Sequence, residues 1–322
     1  MTLLDERMKN VLVTGAAGFI GSHLVDALLD KGFRVIGIDN FSLGTDQNLK
    51  YAFAKELFSF FEIDISKDDF SESFNPPCQI DWVWHMAANS DISSGVRDPK
   101  VDLKDTFMTT FRILNWMKMN SVPRLSFAST SAIYGCRGNA ILEDSGPMLP
   151  ISNYGAMKLA SEGCISASIE SWLKRADIYR FPNVIGSRAT HGVIFDFIHK
   201  LRATPEFLEV LGDGTQRKPY LHVLDLIDAM LFIANKADAS LNYFNVGPED
   251  DISVSEIADQ VVSFVSPGAT VHYGLGNKGW VGDVPKVSYS IEKLRKLGWS
   301  RQVTSLSAVN RAVGEIASEN PF

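Results

Sequence analysis

Tyr154 and Lys158 stand four residues apart in Tyr154-Gly155-Ala156-Met157-Lys158, a spacing that puts both on one face of a helix. An ammonium beside a phenol favours the phenolate, so the pair can make a tyrosine base that works near neutral pH. Tyr-x-x-x-Lys is common by chance, and alone it decorates a surface as readily as it builds a site. The setting tells more. Upstream, Phe127-Ala128-Ser129-Thr130-Ser131-Ala132-Ile133-Tyr134-Gly135 reads as a strand ending in hydroxyls at the carboxyl edge of a sheet, where open α/β folds bind ligands. A hydroxyl there can hydrogen-bond the alcohol whose proton the tyrosine removes.

An alcohol oxidised in this way needs a hydride acceptor, and the glycines of TGAAGFIGSHLV, residues 14–25, suggest one. Gly15, Gly18 and Gly21 follow the apolar run Asn10-Val11-Leu12-Val13-Thr14, and Phe19, Ile20, Leu24, Leu28 and Leu29 then recur at helical spacing. On such a strand-to-helix turn the first backbone N–H groups of the helix face an anion, and the missing side chains admit a pyrophosphate. A helix start that merely packs tightly would show the same three glycines. The next strand separates the two readings. Phe33-Arg34-Val35-Ile36-Gly37-Ile38 ends at Asp39-Asn40, and Asp39 lies 24 residues after Gly15, near where an acid accepts both ribose hydroxyls of an adenosine. A carboxylate there repels a 2′-phosphate, and no Arg follows in Asn40-Phe41-Ser42-Leu43-Gly44, so NAD is favoured over NADP. The positive nicotinamide ring would further favour the Tyr154 phenolate. At Asp64-Ile65 a carboxylate either accepts from the adenine amino group or simply ends a strand. In His85-Met86-Ala87-Ala88-Asn89, the small Ala87 and Ala88 leave room for a dinucleotide, while His85 reads as a satisfied core histidine.

The elements that must position these residues alternate through the first half. Strands are expected at 10–14, 34–38, 59–63, 81–86 and 124–129, with helices near 19–31 and 103–119, then a helix at 153–174 and a strand at 176–180. The alternation predicts an α/β fold, a Rossmann-like doubly wound parallel sheet covered by helices on both faces. Beyond residue 181 the texture changes to loops with Gly186, Gly192, Gly212 and Gly214, plus a helix at 223–236 and a strand at 242–246. This predicts an NAD-binding domain over 1–180 and a smaller substrate-binding α/β lobe over 181–322, with some elements returning to the first domain.

The 322 residues allow a large core, and 45% hydrophobic with 21% charged residues is ordinary soluble composition. A net charge of -7 argues against general nucleic-acid or acidic-membrane binding, so a phosphorylated ligand needs its own local donors. Three scattered cysteines, Cys78, Cys136 and Cys164, indicate neither a zinc site nor a disulfide framework, and no metal is expected. The polar start MTLLDERMKN and the lack of a long apolar run predict a cytoplasmic protein.

The ordered motifs resemble the extended short-chain dehydrogenase/reductase family, and within it the NAD-dependent nucleotide-sugar epimerases. The likeness runs from the Gly15, Gly18, Gly21 loop through Asp39-Asn40, Asp64-Ile65, Tyr134-Gly135, Tyr154 to Lys158 and Arg180-Phe181-Pro182-Asn183. It continues through Leu211-Gly212-Asp213-Gly214-Thr215-Gln216, Tyr220-Leu221-His222-Val223, Phe244-Asn245-Val246-Gly247, Gly282-Asp283-Val284 and Leu297-Gly298-Trp299. The resemblance implies 4-epimerisation of a nucleoside-diphosphate sugar of the UDP-glucose/UDP-galactose type through a transient 4-keto sugar. It implies that Tyr154 is the base and acid, that Lys158 binds the nicotinamide ribose and lowers the Tyr154 pKa, and that Thr130 holds the reacting hydroxyl. Asn183, Gln216, Arg217 and Lys218 would hold the nucleoside diphosphate, with Asp283 also facing substrate. A homodimer is implied, with Phe107, Phe111, Leu114 and the helix after Tyr154 as its apolar faces.

Departures bear on the substrate. Lys218-Pro219 replaces the family's usual Arg-Asp, Trp280 stands near a place usually held by Arg with Lys278 the nearest cation, and Thr106 replaces a helix-start Asn. Ser131-Ala132 lacks the acidic pair with which a sugar 4,6-dehydratase eliminates water. Arg188 and His191 lie on the loop expected to cover the sugar; either that loop is merely solvated, or Arg188, helped by Ser131, receives a C6 carboxylate and the substrate is a UDP-uronic acid. A reductase or dehydratase of the same fold and a dinucleotide-sensing regulator are the alternatives. The intact Thr130, Tyr154 and Lys158 set counts against a sensor, which needs no activated phenol.

Overall fold

The computed structural model describes residues 9–67, 70–136, 140–276, 288 and 290–319. By its internal contacts the chain divides into two units, the first made of 1–133, 149–180 and 227–244 and the second of 134–148, 181–226 and 245–322. One division falls after Arg180, while 134–148 join the second unit and 227–244 the first.

Six strands of the first unit follow in chain order: β1 (Asn10–Thr14), β2 (Arg34–Asp39), β3 (Phe58–Glu62), β4 (Trp82–His85), β5 (Arg124–Thr130) and β6 (Arg175–Phe181). With Leu241–Asn245 they form a seven-stranded sheet in the order Leu241–Asn245, β6, β5, β4, β1, β2, β3. β1 is parallel to both neighbours, with Thr14 in register with Ile38 on one side and His85 on the other. β2 runs parallel to β3 and β4 to β5. Val11, Leu12 and Val13 are wholly buried, as expected of a central strand covered on both faces, and hence the unbroken apolar run. From β1 the chain builds outward to β3 and then returns to build the other half from β4. The carboxyl ends of β1 and β4 therefore flank the point where strand order reverses, which is where such sheets bind ligands.

Two helices differ from the sequence expectation. The pattern over 103–119 opens as a π-helical segment, Leu103–Met108, before the α-helix Thr109–Met119. The helix at 153 stops at Ile169, because the N–H groups of Ser171, Trp172 and Leu173 all turn back on the Ser168 carbonyl. At its other end Ser152 caps the helix by accepting from the Gly155 N–H at 3.1 Å.

The second unit has its own core, in which Ile194, Phe197, Ile198, Ile257, Val261, Val309 and Val313 meet. These come from the helices Val193–Ala203, Val254–Val265 and Ser305–Glu319. Short strand pairs accompany them, including Asn183–Ile185 parallel to Tyr220–His222. Among the described residues no helix is long and apolar enough to cross a membrane.

Candidate active site

The cofactor end of the site is set by close backbone approach. Gly15 adopts φ 66°, and a methyl there would lie 2.8 Å from the Ala87 nitrogen. A methyl on Gly21 would collide with the Gly15 carbonyl. Both positions require glycine, one for its dihedral and both for contact. Gly18 caps the helix Phe19–Asp30 without a side chain, so nothing from the cap competes for the first-turn N–H groups near Phe19 and Ile20. Asp39 is buried; its Oδ2 accepts from the Ala17 N–H at 2.9 Å and its Oδ1 from the Phe41 N–H at 2.8 Å. Burial pushes this carboxyl above its usual range, against the pull of those N–H groups. Each oxygen keeps lone-pair capacity for a ribose hydroxyl, so Asp39 both pins the glycine loop and can take a diol.

Asp39-Asn40 and Asp64-Ile65 come together. The Ile63 N–H donates to the Asp39 carbonyl at 2.9 Å, and the Asn40 side chain hydrogen-bonds Asp64. Burial raises Asp64, but Ser66, Lys104 and Asn40 together bring it below the usual carboxylate range. Ile65 is buried beneath them. Ala87 and Ala88 are half-buried at the end of β4, and the Ala87 N–H donates to Thr14 Oγ1 at 3.1 Å. His85 sits between Thr14 Oγ1 at 2.7 Å and Thr110 Oγ1 at 3.1 Å, and burial drives its pKa to about 3. It is a neutral core imidazole. Gly15, the capless helix start and the Asp39 carboxylate thus fit a dinucleotide with a free adenosine ribose.

The residues expected to be catalytic, Thr130, Tyr154 and Lys158, lie at the end of β5 and on the helix Asn153–Ile169. Thr130 closes β5, and its side chain hydrogen-bonds Tyr154 while Oγ1 accepts the Ala132 N–H at 3.1 Å. Lys158 is one turn further along the helix, buried, with Nζ donating to the Ala128 carbonyl at 2.6 Å. Its ammonium lies 4.6 Å from the Phe127 ring centroid and 5.9 Å from that of Tyr154. In the protein alone, burial lowers Lys158 to about 7 against the opposing charge of Glu162. Burial raises the Tyr154 phenol above its ordinary value, the Asp102 charge raises it further, and Thr130 pulls it down. Desolvation therefore dominates the pair in the resting fold, where spacing alone suggested that the ammonium would.

The same helical spacing points one turn further, to Glu162. Glu162, four residues after Lys158, is buried and accepts from Ser129 Oγ and from Arg180, whose Nη2 lies 2.6 Å from Oε2. Thr14 accepts the Ala87 N–H at 3.1 Å and Asn153 donates to the Gly95 carbonyl at 2.9 Å, contacts that residue spacing does not announce.

The residues expected to meet the nucleotide and sugar are more scattered. Ser131 begins the short helix Ser131–Tyr134 beside Thr130. In the second unit, Asn183 is paired with Tyr220, two residues past Lys218. Gln216 is buried, with Oε1 lacking a hydrogen-bond partner among the described residues. Arg217 is engaged by carboxylates, Nε at 2.6 Å from Asp251 Oδ1 and Nη1 at 3.0 Å from Glu256 Oε2, in the strand pair that also holds Lys218. Arg188 has φ 64°, and its loop is tied to the helix Ser305–Glu319: the Ser187 N–H donates to Glu315 and the Arg188 N–H to Glu319. His191 is exposed. Asp283, with Gly282, Val284, Trp280 and Lys278, lies outside the described residues.

A dinucleotide cradle next to a tyrosine, lysine and threonine at a parallel-sheet edge defines an oxidoreductase-type site. Residues 11–247 match the model of the NAD dependent epimerase/dehydratase family, and the chain belongs to that family. It is 35% identical to a UDP-galactose 4-epimerase of known crystal structure, covering 96% of this chain and 99% of that one with a TM-score of 0.83. The UDP-glucuronic acid 4-epimerase of Bacillus cereus, crystallised with UDP-glucuronic acid and NAD, is 26% identical with a TM-score of 0.85, covering 97% of this chain and all of its own. The UDP-glucose 4-epimerase of Halalkalibacterium halodurans is 28% identical over 333 residues, 97% of this chain and 96% of the relative.

Proposed function

We propose that the protein is an isomerase that inverts C4 of a UDP-sugar of the glucose/galactose type through a transient 4-keto sugar, with NAD as cofactor. The observation that carries this reading is the hydrogen bond between the Thr130 and Tyr154 side chains. A sugar hydroxyl entering between them finds an acceptor for its proton and a second hydroxyl to orient it. When bound, NAD supplies reversible acceptance of the C4 hydride and a positive ring beside the phenol. Tyr154 removes the C4 hydroxyl proton, holds it while the carbon is a ketone, and returns it once hydride has come back to the opposite face. No net oxidation occurs, so the cofactor is not consumed. Gly15, Gly18, Gly21 and Asp39 hold the dinucleotide, and Lys158 reaches its nicotinamide ribose. Asn183, Gln216, Arg217 and Lys218 take the UDP moiety, Arg217 while also facing Asp251 and Glu256.

The likeness to an enzyme that binds UDP-glucuronic acid supports a second substrate, a UDP-uronic acid with Arg188 at its carboxylate. Incubation with UDP-galactose and with UDP-glucuronic acid, followed by separation of the C4 epimers, decides between them. Accumulation of NADH or of a 4-keto product in bulk solution would remove the epimerase reading. Tyr154→Phe should keep the fold and bound NAD and lose on the order of 10²-fold or more in kcat.

A cytoplasmic homodimer completes the proposal. Phe107 and Phe111 stack at 6.4 Å and Phe111 is exposed, which suits a paired-helix face, whereas Leu114 is buried in the first unit's own core and is no part of one. Sedimentation showing a stable monomer at micromolar concentration would remove the dimer and leave the chemistry untouched.

A further inference from the structure

Where β1 and β4 end, a chain of hydrogen bonds runs from a backbone N–H through a buried imidazole to a helix carbonyl. Thr14, His85 and Thr110 are all buried, and Thr14 lies in register with His85 across the two parallel strands. The Ala87 N–H donates to Thr14 Oγ1 at 3.1 Å, and Thr14 Oγ1 lies 2.7 Å from His85 Nδ1. On the other side of the ring, Nε2 lies 3.1 Å from Thr110 Oγ1, which donates to the Thr106 carbonyl at 3.0 Å.

The far end decides every direction. A hydroxyl has a single proton, and Thr110 gives its own to a carbonyl, so towards His85 it can only accept. Nε2 therefore carries the ring proton, and burial, which drives the ring's pKa to about 3, leaves Nδ1 bare. The Thr14 hydroxyl must then donate to Nδ1, keeping its lone pairs for the Ala87 N–H. The other tautomer would set a bare Nε2 against a hydroxyl with no proton left to give. From Ala87 to Thr106 all the bonds point the same way, and each strengthens the next.

The nitrogen at the head of this chain is the one that bounds the glycine turn. A methyl on Gly15 would lie 2.8 Å from the Ala87 nitrogen, and the Met86 N–H also donates to the Thr14 carbonyl at 3.2 Å. The chain thus pins the end of β4 against the turn that leaves β1, where strand order reverses. Phe127 of β5 stacks on the imidazole, centroids 5.8 Å apart and planes 26° from parallel, which fixes the plane in which both ring nitrogens point.

We propose that His85 is a positioning residue for the dinucleotide: as its Nε2–H tautomer it holds Thr14 on the Ala87 N–H and keeps the crevice between β1 and β4 at the width that retains NAD. The inference rests on NAD lying over the Gly15 turn. Cutting the chain at any link, even at Thr110 on the far side of the ring, loosens the same crevice.

The test follows exchange of bound NAD for labelled NAD in the purified holoenzyme, together with the imidazole nitrogen resonances of His85, identified by their loss in His85→Gln. At neutral pH these should show a protonated Nε2 and a bare, hydrogen-bonded Nδ1. Thr14→Val, His85→Leu and Thr110→Val each cut the chain and should speed exchange about 10-fold. Thr14→Val combined with Thr110→Val should exceed the faster single variant by no more than about 2-fold, because both cut the same chain. His85→Gln offers an oxygen to Thr14 and an N–H to Thr110, and should bring exchange back to within about 3-fold of wild type. Val122→Ala, in the core of the same unit but off the chain, should lose stability and leave exchange unchanged. Thr110→Val carries the test if His85→Leu does not fold. A protonated Nδ1, additive effects of Thr14→Val and Thr110→Val, a failed rescue by His85→Gln, or equal acceleration by Val122→Ala overturns the inference. Exchange at the wild-type rate in Gly15→Ala overturns the placement of NAD instead.

Discussion

Lys158 Nζ donates to the main-chain oxygen of Ala128 at 2.6 Å, two residues before the end of the strand that delivers Thr130. The bond fixes the lysine between strand and helix, and the same burial brings its pKa from 10.5 to about 7.

That depression has a signed consequence for stability. The folded protein without cofactor binds fewer protons at this site than the unfolded chain between pH 7 and 10.5, so Lys158 imposes a penalty that is complete below about pH 7 and fades as pH rises towards 10.5. Lys158→Met removes the charge. Its stability relative to wild type, measured by urea unfolding, should therefore be most favourable at pH 7 and fall by roughly 3–4 kcal/mol towards pH 10. A difference that is flat with pH would show that Lys158 titrates normally.

His85 gives a second linkage at lower pH. Its folded pKa of about 3 lies below the ordinary imidazole value of 6.5, so the neutral ring is favoured on folding and stability is lost as pH falls from about 6.5 towards 3. At pH 5 the loss from this group is about 2 kcal/mol. His85→Gln keeps partners for Thr14 and Thr110, and its unfolding free energy should lack that component when pH 7 and pH 5 are compared.

Much of this could be read from sequence because backbone geometry leaves a mark on residue type. Gly15 and Gly21 are glycines since nothing else fits, and Asp39 ends the next strand because the loop needs an acceptor for the Ala17 N–H. Tyr154 and Lys158 were legible from helical spacing together with the hydroxyls of β5. What spacing does not carry is long-range company. That Arg217 faces Asp251 and Glu256, residues 34 and 39 positions away, depends on the pairing of two short strands that the texture beyond 181 does not announce. The π-helical segment leaves no periodic signal distinct from the α-helix after it, and Asp102, placed just before it, looks like an ordinary surface acid in a polar run. Its burial comes from Gly95, a contact between neighbouring helices.

Gly15→Ala tests the cradle. The alanine must hold φ 66° and place a methyl 2.8 Å from the Ala87 nitrogen, which neither backbone can yield without moving the ends of β1 and β4. Strain of this kind costs about 1–3 kcal/mol. The purified variant, denatured and assayed for released nucleotide, should carry far less NAD than wild type, and the wild-type eluate should contain NAD rather than NADP. Equal NAD content would mean that the glycine loop serves packing alone.

The last prediction concerns the buried pair of Glu162 and Arg180. Their side chains are 7% and 6% exposed, and the guanidinium meets the carboxylate through both Nε and Nη2. Charges this deep are stabilising only while both are present, because the Coulomb attraction does little more than offset their desolvation. Glu162→Gln leaves the Arg180 charge buried with a neutral partner and should cost about 3–5 kcal/mol in unfolding free energy. Replacing both residues with apolar ones of similar volume, Glu162→Leu with Arg180→Met, should recover most of that loss, since no charge is then desolvated. Activity should follow a different course. Glu162 raises the Lys158 pKa, so both variants lose the carboxylate that helps keep Lys158 charged, and kcat should stay low in the double variant even where stability has returned. A double variant that regains stability and kcat together would show that Glu162 serves the fold alone and has no part in setting the charge of Lys158.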